Sequence, residues 1–218
     1  MSNFFEYVGR CMPQLMLGMK LTLLMTIFAL ILAVVIGMVA CLFSISKAKP
    51  LNWISGLYLS VIRGTPLMVQ AFFIYFGLTS ALDIRISSFS AAILVLCLNA
   101  GAYLSEIFRS GIAAVNKGQM EAARSLGLPY GVAMRKIILP QAIRIVIPSV
   151  LNQFIITLKD TSILSVIGCG ELMRQGQLIV SRNYESFKTY AIIAVMYYVV
   201  VVVLTKVFQF VEGRLANK

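Results

Sequence analysis

The chain has 218 residues, 60% of them hydrophobic and 12% charged, which is too apolar for a soluble domain and leaves room for several membrane spans but no large extra domain. A formal net charge of +11 would suit nucleic acid, but in a membrane protein it is expected in cytoplasmic loops, so its distribution matters more than its sum and no nucleic-acid partner is expected. There is no His, and Cys11, Cys41, Cys97 and Cys169 are scattered without metal-ligand spacing. They read as small apolar side chains or unpaired thiols, and no metal site is expected.

The first twenty residues hold Glu6, Arg10, Pro13 and Lys20. The uncharged run that follows, Leu21 to Ser46, is ~39 Å long as a helix. It is too long for a signal h-region and lacks a small-residue cleavage site, so it is expected as a retained first span over about 15–46. Lys47, Lys49 and Pro50 end it. A second span over about 51–80 carries one charge, Arg63, followed at once by Gly64, Thr65 and Pro66. Thr is a good N-cap and Pro a good first helical residue, so this span should break there and restart. Gln70 lies about one turn further on. The third span covers about 86–109 and holds Asn99 and Tyr103, which share a face, with Glu106 and Arg109 paired near its end.

The polar connection over about 111–140 has the marks of a short helix. Asn116 is a candidate N-cap with Gln119 as its capping-box partner. Glu121, Ala122, Ala123 and Arg124 are good helix formers, and Gly127 followed by Pro129 is a stop. On the residues alone this is either an amphipathic helix lying on the bilayer or a docking element for a cytoplasmic partner. The fourth span, about 141–160, is short: Ile145 to Leu158 reaches only ~21 Å, contains Pro148, and stops at Lys159 and Asp160. The stretch from Thr161 to Lys188 is mixed. A fifth span over about 189–211 is rich in Val, Ile and Tyr.

Lys and Arg are in excess in alternate loops: the first connection, the third, and the C-terminal tail. The positive-inside rule puts those in the cytoplasm and the N-terminus outside.

Glu121-Ala122-Ala123, then Gly127, then Ile137 and Leu139-Pro140 resemble the signature loop of permease subunits of ABC importers. "RGTPLMVQ" at 63–70, "NAGAYLSEIFRSGI" at 99–112 and "KDTSILSVIG" at 159–168 resemble the polar amino-acid uptake branch of that family. The resemblance covers nearly the whole chain. It implies an all-α integral membrane protein of five transmembrane helices with a cytoplasmic coupling helix, the type I ABC importer permease architecture, in a prokaryotic cytoplasmic (inner) membrane. It also implies an ABC ATPase dimer docked on the coupling helix through Glu121, Ala122, Ala123 and Gly127, a second permease copy, an extracytoplasmic amino-acid-binding protein and an amino-acid substrate. The chain has no G-x-x-x-x-G-K-[ST] phosphate loop. No cofactor is therefore expected in it, with ATP and Mg bound by the partner ATPase, and no catalytic residue is assigned.

An Arg in an apolar stretch is a functional candidate by default. A zwitterionic substrate needs an anion-binding and a cation-binding group close together. Arg63 with the Thr65 helix end would take the carboxylate and Asp160 the ammonium, while Lys159, Ser162, Gln70, Asn99 and Tyr103 would line the path. The competing expectation is an internal Arg63–Asp160 ion pair, with Asn99 in helix–helix hydrogen bonding. The rival function is a self-contained secondary transporter or channel. It would want an internal repeat, which is not evident, and a mid-span coupling carboxylate, for which Asp160 is the one candidate. A membrane enzyme would want an acid cluster, His or Cys pair that the sequence lacks.

Overall fold

The computed structural model describes residues 4–216, and these are almost entirely helical. The helices are α1 (Phe4–Ser44), α2 (Lys49–Gly64), α3 (Leu67–Leu82), α4 (Ser88–Ala114), α5 (Lys117–Ser125), α6 (Tyr130–Ile167), α7 (Leu172–Asn183) and α8 (Ser186–Ala216). α1, α4, α6 and α8 are each long and apolar enough to cross a membrane. α2 and α3 make a fifth span when taken as one broken element, bent by 107°.

The spans outrun their sequence limits because charge removes a segment from hydrocarbon without ending its helix. The first span, expected over about 15–46, starts at Phe4: Glu6 and Arg10 pair one turn apart and Pro13 is accommodated. The third, expected over about 86–109, runs to Ala114. The fourth, expected over about 141–160, starts at Tyr130 and ends at Ile167. The connection expected over about 111–140 therefore contracts to residues 115–129. Pro140 is absorbed by a widened π turn, Met134–Ile138, immediately before it. A proline ring clashes with the carbonyl four residues back, and a π turn moves that carbonyl away. The fifth span, expected over about 189–211, is Ser186–Ala216.

The core lies where α1 and α4 pack together and close over α3 and the end of α6. Met25, Ala29, Leu30, Ala33, Ala91, Val95 and Leu104 are buried there. Gly37 permits this approach: a Cβ on it would lie 2.9 Å from the Gly101 carbonyl oxygen and 2.9 Å from Leu104 Cβ. Small residues commonly let membrane helices come this close. Gly37→Val should splay α1 from α4 and destabilise the fold by about 1–3 kcal/mol or more, read as a lowered Tm of the detergent-purified complex. An unchanged Tm would refute the tight contact.

α7, in the mixed stretch after the fourth span, was not evident in the sequence. Its N-cap is Glu171, whose carboxylate accepts from the Met173 and Arg174 N–H groups and from the Tyr197 hydroxyl of α8. The Leu172 N–H donates to Thr22 of α1. The start of α7 is thus tied to α8 through the buried Glu171 carboxylate and to α1 through the Leu172 N–H.

Candidate functional site

The site is built on the elbow between α2 and α3. The last carbonyls of a helix have no partners within it. Here Thr65 Oγ1 donates to the Val61 carbonyl at 2.8 Å, so Thr65 closes α2. Pro66 occupies the N-cap position of α3 (φ −62°, ψ 140°). This corrects the expectation that Thr65 caps the restarted helix. Its hydroxyl faces back along the chain because the carbonyl end of α2 offers it an acceptor. Gln70 Nε2 donates to the Ile62 carbonyl (2.7 Å), the Thr65 carbonyl (3.0 Å) and Thr65 Oγ1 (3.0 Å). Asn99 Nδ2 of α4 donates to Gln70 Oε1 at 3.3 Å. Gln70 and Asn99 are each 7% exposed. Tyr58 of α2 donates to the Leu98 carbonyl at 2.6 Å, a second tie between the elbow and α4.

Arg63 is exposed on the last turn of α2. Its guanidinium lies 3.7 Å from Glu106 and 5.8 Å from the centre of the Tyr103 ring. Glu106 also takes two hydrogen bonds from Arg109, at 3.2 and 2.8 Å. The Glu106–Arg109 pair expected from the sequence is therefore present, and Arg63 extends it to a triad. The expected Arg63–Asp160 ion pair is not formed. The cause is competition: Glu106 stands on the face of α4 that Arg63 meets, one turn below Tyr103.

Asp160 is half-buried at the point where α6 tightens into the 3₁₀ turns Thr161–Ile167, and it has no ion pair among the described residues. Lys159 beside it is exposed, and Ser162 donates to the Lys159 carbonyl at 2.8 Å. The first turns of α3 pack on Thr161–Ile167, which makes the elbow and the end of α6 neighbours. The structure thus joins Arg63 to Tyr103 and Thr65 to Gln70 and Asn99, and sets Lys159, Asp160 and Ser162 on the adjoining segment.

α5 follows the C-terminal end of α4. Asn116 Oδ1 accepts the Gly118 N–H at 2.8 Å, confirming the expected cap. The Gln119 N–H goes to the Asn116 carbonyl. The C-terminus closes by two bonds, Gly127 N–H to the Arg124 carbonyl and Leu128 N–H to the Ala123 carbonyl, around Gly127 at φ +81°. This is the reverse-turn cap that glycine favours, and Arg124 secures it by donating to the Leu128 carbonyl. Ala123 is buried against the base of the loop, while Glu121 and Ala122 are exposed. Two neighbours that sequence reasoning passed over stand out: Leu126 is 82% and Tyr130 60% exposed. Their signal is apolar residues flanking the Gly127–Pro129 break in an otherwise polar segment.

The model of the family described as "Binding-protein-dependent transport system inner membrane component" matches residues 29–216. The arginine transport system permease protein ArtQ of Bacillus subtilis is 40% identical over 205 residues, covering 94% of both chains. The glutamine transport system permease protein GlnP of Escherichia coli is 39% identical over 204 residues, covering 93% of both. Among solved structures, a chain of an amino acid ABC transporter crystallised with histidines superposes with a TM-score of 0.93 at 40% identity, covering 98% of this chain and 99% of that one. A chain of the inward-facing MetNI methionine ABC transporter superposes with a TM-score of 0.79 at 18% identity, covering 94% and 97%, a likeness of fold alone.

Proposed function

The chain belongs to the family of binding-protein-dependent transport system inner membrane components and is the permease subunit of an ATP-driven importer; on that premise we propose that it carries a polar amino acid across a prokaryotic cytoplasmic membrane. A separate ABC ATPase dimer, which binds ATP and Mg, drives it, and an extracytoplasmic binding protein delivers the substrate. A second permease copy, the same chain or a related one, completes the path, since five spans are few to enclose one.

The observation that carries this reading is α5. A short helix capped at both ends, buried through Ala123 and presenting Glu121 and Ala122 outward, with Leu126 and Tyr130 exposed just beyond it, suits a rigid lever seated in a partner. The absence of a G-x-x-x-x-G-K-[ST] phosphate loop from the sequence supports nucleotide binding by that partner. Purification in mild detergent from cells expressing the whole transporter should bring down the ATPase in stoichiometric amount. A chain that purifies alone and still transports would favour a secondary transporter.

In the substrate path, Arg63 and the start of α3 receive the carboxylate and Asp160 the ammonium. Tyr103, Lys159 and Ser162 flank the substrate, while Gln70 and Asn99 stand behind them and hold the elbow. The absence of an ion pair at Asp160 among the described residues supports this, because a half-buried carboxylate without a cation is a place for one. On binding, the substrate carboxylate competes with Glu106 for Arg63.

The N-terminus faces outward and the C-terminus the cytoplasm, a reading that the alternation of basic loops supports. In a chain with the four cysteines replaced, Lys117→Cys should react with an impermeant maleimide only after the cells are opened. Reaction in intact cells would invert the topology.

A further inference from the structure

We infer that Gln70 is a positioning residue that locks the α2–α3 elbow, and that it does not choose among substrate side chains. The inference deepens the reading of Arg63 as a substrate-facing group and rests on it for its consequence, though not for its geometry.

A helix interrupted inside a membrane protein leaves carbonyls at the end of its first half without backbone partners, and lipid supplies none. In this elbow the Val61 carbonyl is satisfied by Thr65 and the Ile62 carbonyl by Gln70. The same Gln70 amide nitrogen also reaches the Thr65 carbonyl and hydroxyl, so one side chain from α3 grips α2 and the link between the two helices. Its oxygen is held from the other side by Asn99 of α4. A primary amide has two N–H groups and one carbonyl oxygen. Both ends of Gln70 are engaged, and at 7% exposure little of it is left to meet a ligand.

The consequence lies one turn back along α2. Arg63 sits between Ile62 and Gly64, at the hinge that Gln70 closes. With the elbow held at 107°, the guanidinium is directed at Tyr103 and Glu106. With it released, Arg63 moves with α2, and recognition of the backbone carboxylate common to all amino acids weakens for every substrate alike. Asn99 acts through Gln70 and is a positioning residue in the same sense.

The test reads the elbow directly. Spin labels at Ile54→Cys and Leu82→Cys, exposed positions on the two arms, are placed in the assembled transporter with the four native cysteines replaced. Labelled copies are diluted with unlabelled ones so that only the distance within one chain is measured. The parent should give a narrow distance distribution. Gln70→Glu keeps the shape of the side chain but has no N–H to donate, and should broaden the distribution about twofold. Gln70→Met serves if the added charge prevents assembly, and Asn99→Leu should give a smaller broadening. In parallel, uptake of L-arginine, L-glutamine, L-histidine and L-leucine is measured for each assembled variant. All rates should fall together with their rank order kept. An unchanged distribution overturns the brace, and a changed rank order makes Gln70 a selectivity residue. Neither outcome depends on Arg63, whose role stands or falls on Arg63→Gln.

Discussion

A transporter carrying Asp160→Asn should assemble normally with its ATPase and import its amino acid at roughly a tenth to a hundredth of the parent rate. A hydrogen bond to a charged group contributes about 1.5–3 kcal/mol, and each 1.4 kcal/mol is tenfold. Assembly should survive because Asp160 has no ion-pair partner among the described residues to strand. Removing one member of a buried pair typically costs about 3–5 kcal/mol through the charge left behind, a penalty that does not arise here. Arg63→Gln is protected similarly: Glu106 keeps both hydrogen bonds from Arg109. Its uptake should fall by a similar factor. Uptake at saturating binding protein, with the ATPase rate measured on the same sample, checks both. Normal transport by both assembled variants would leave the path to uncharged groups.

The other large effect is expected at α5. Gly127 holds φ +81°, a conformation that costs an L-residue about 1–2 kcal/mol and is least suited to a β-branched one. Gly127→Val should undo the two closing hydrogen bonds and redirect the chain toward Pro129, moving Leu126 and Tyr130 out of register with Glu121. The ATPase should co-purify at about a tenth of the parent amount or less, since the strain alone approaches one factor of ten, while the permease stays in the membrane. Glu121→Lys leaves the fold intact, because its side chain is exposed, and reverses the charge offered to the partner. Retention of full ATPase association by both variants would refute docking through α5.

The large features were legible because they follow from composition and punctuation. Uncharged runs located α1 and α4, a run with Lys206 as its one charge located α8, Asn116 and Gly127 located α5, and Gly64-Thr65-Pro66 marked the elbow. Helix ends were not legible, because the transition from apolar to charged residues at Arg109 or Arg144 marks the membrane surface and the helix continues through it. The partner of Arg63 was also hidden. Asp160 and Glu106 are both acids far away in sequence, and only the packing of α2 on α4 selects Glu106. α7 escaped notice because it is amphipathic, short and interrupted by Gly176; its one strong mark was Glu171 in the cap position.

The central claim is that this chain passes an amino acid across the membrane when, and only when, a partner hydrolyses ATP. It is tested most directly in proteoliposomes holding the permease and its ATPase, with ATP and Mg sealed inside and the binding protein and a panel of labelled amino acids outside. Uptake of a polar amino acid that requires both ATP and the binding protein, and that is lost together with ATPase docking in Gly127→Val, is the predicted result. Uptake by the permease alone, driven by an ion gradient and indifferent to ATP, would contradict it.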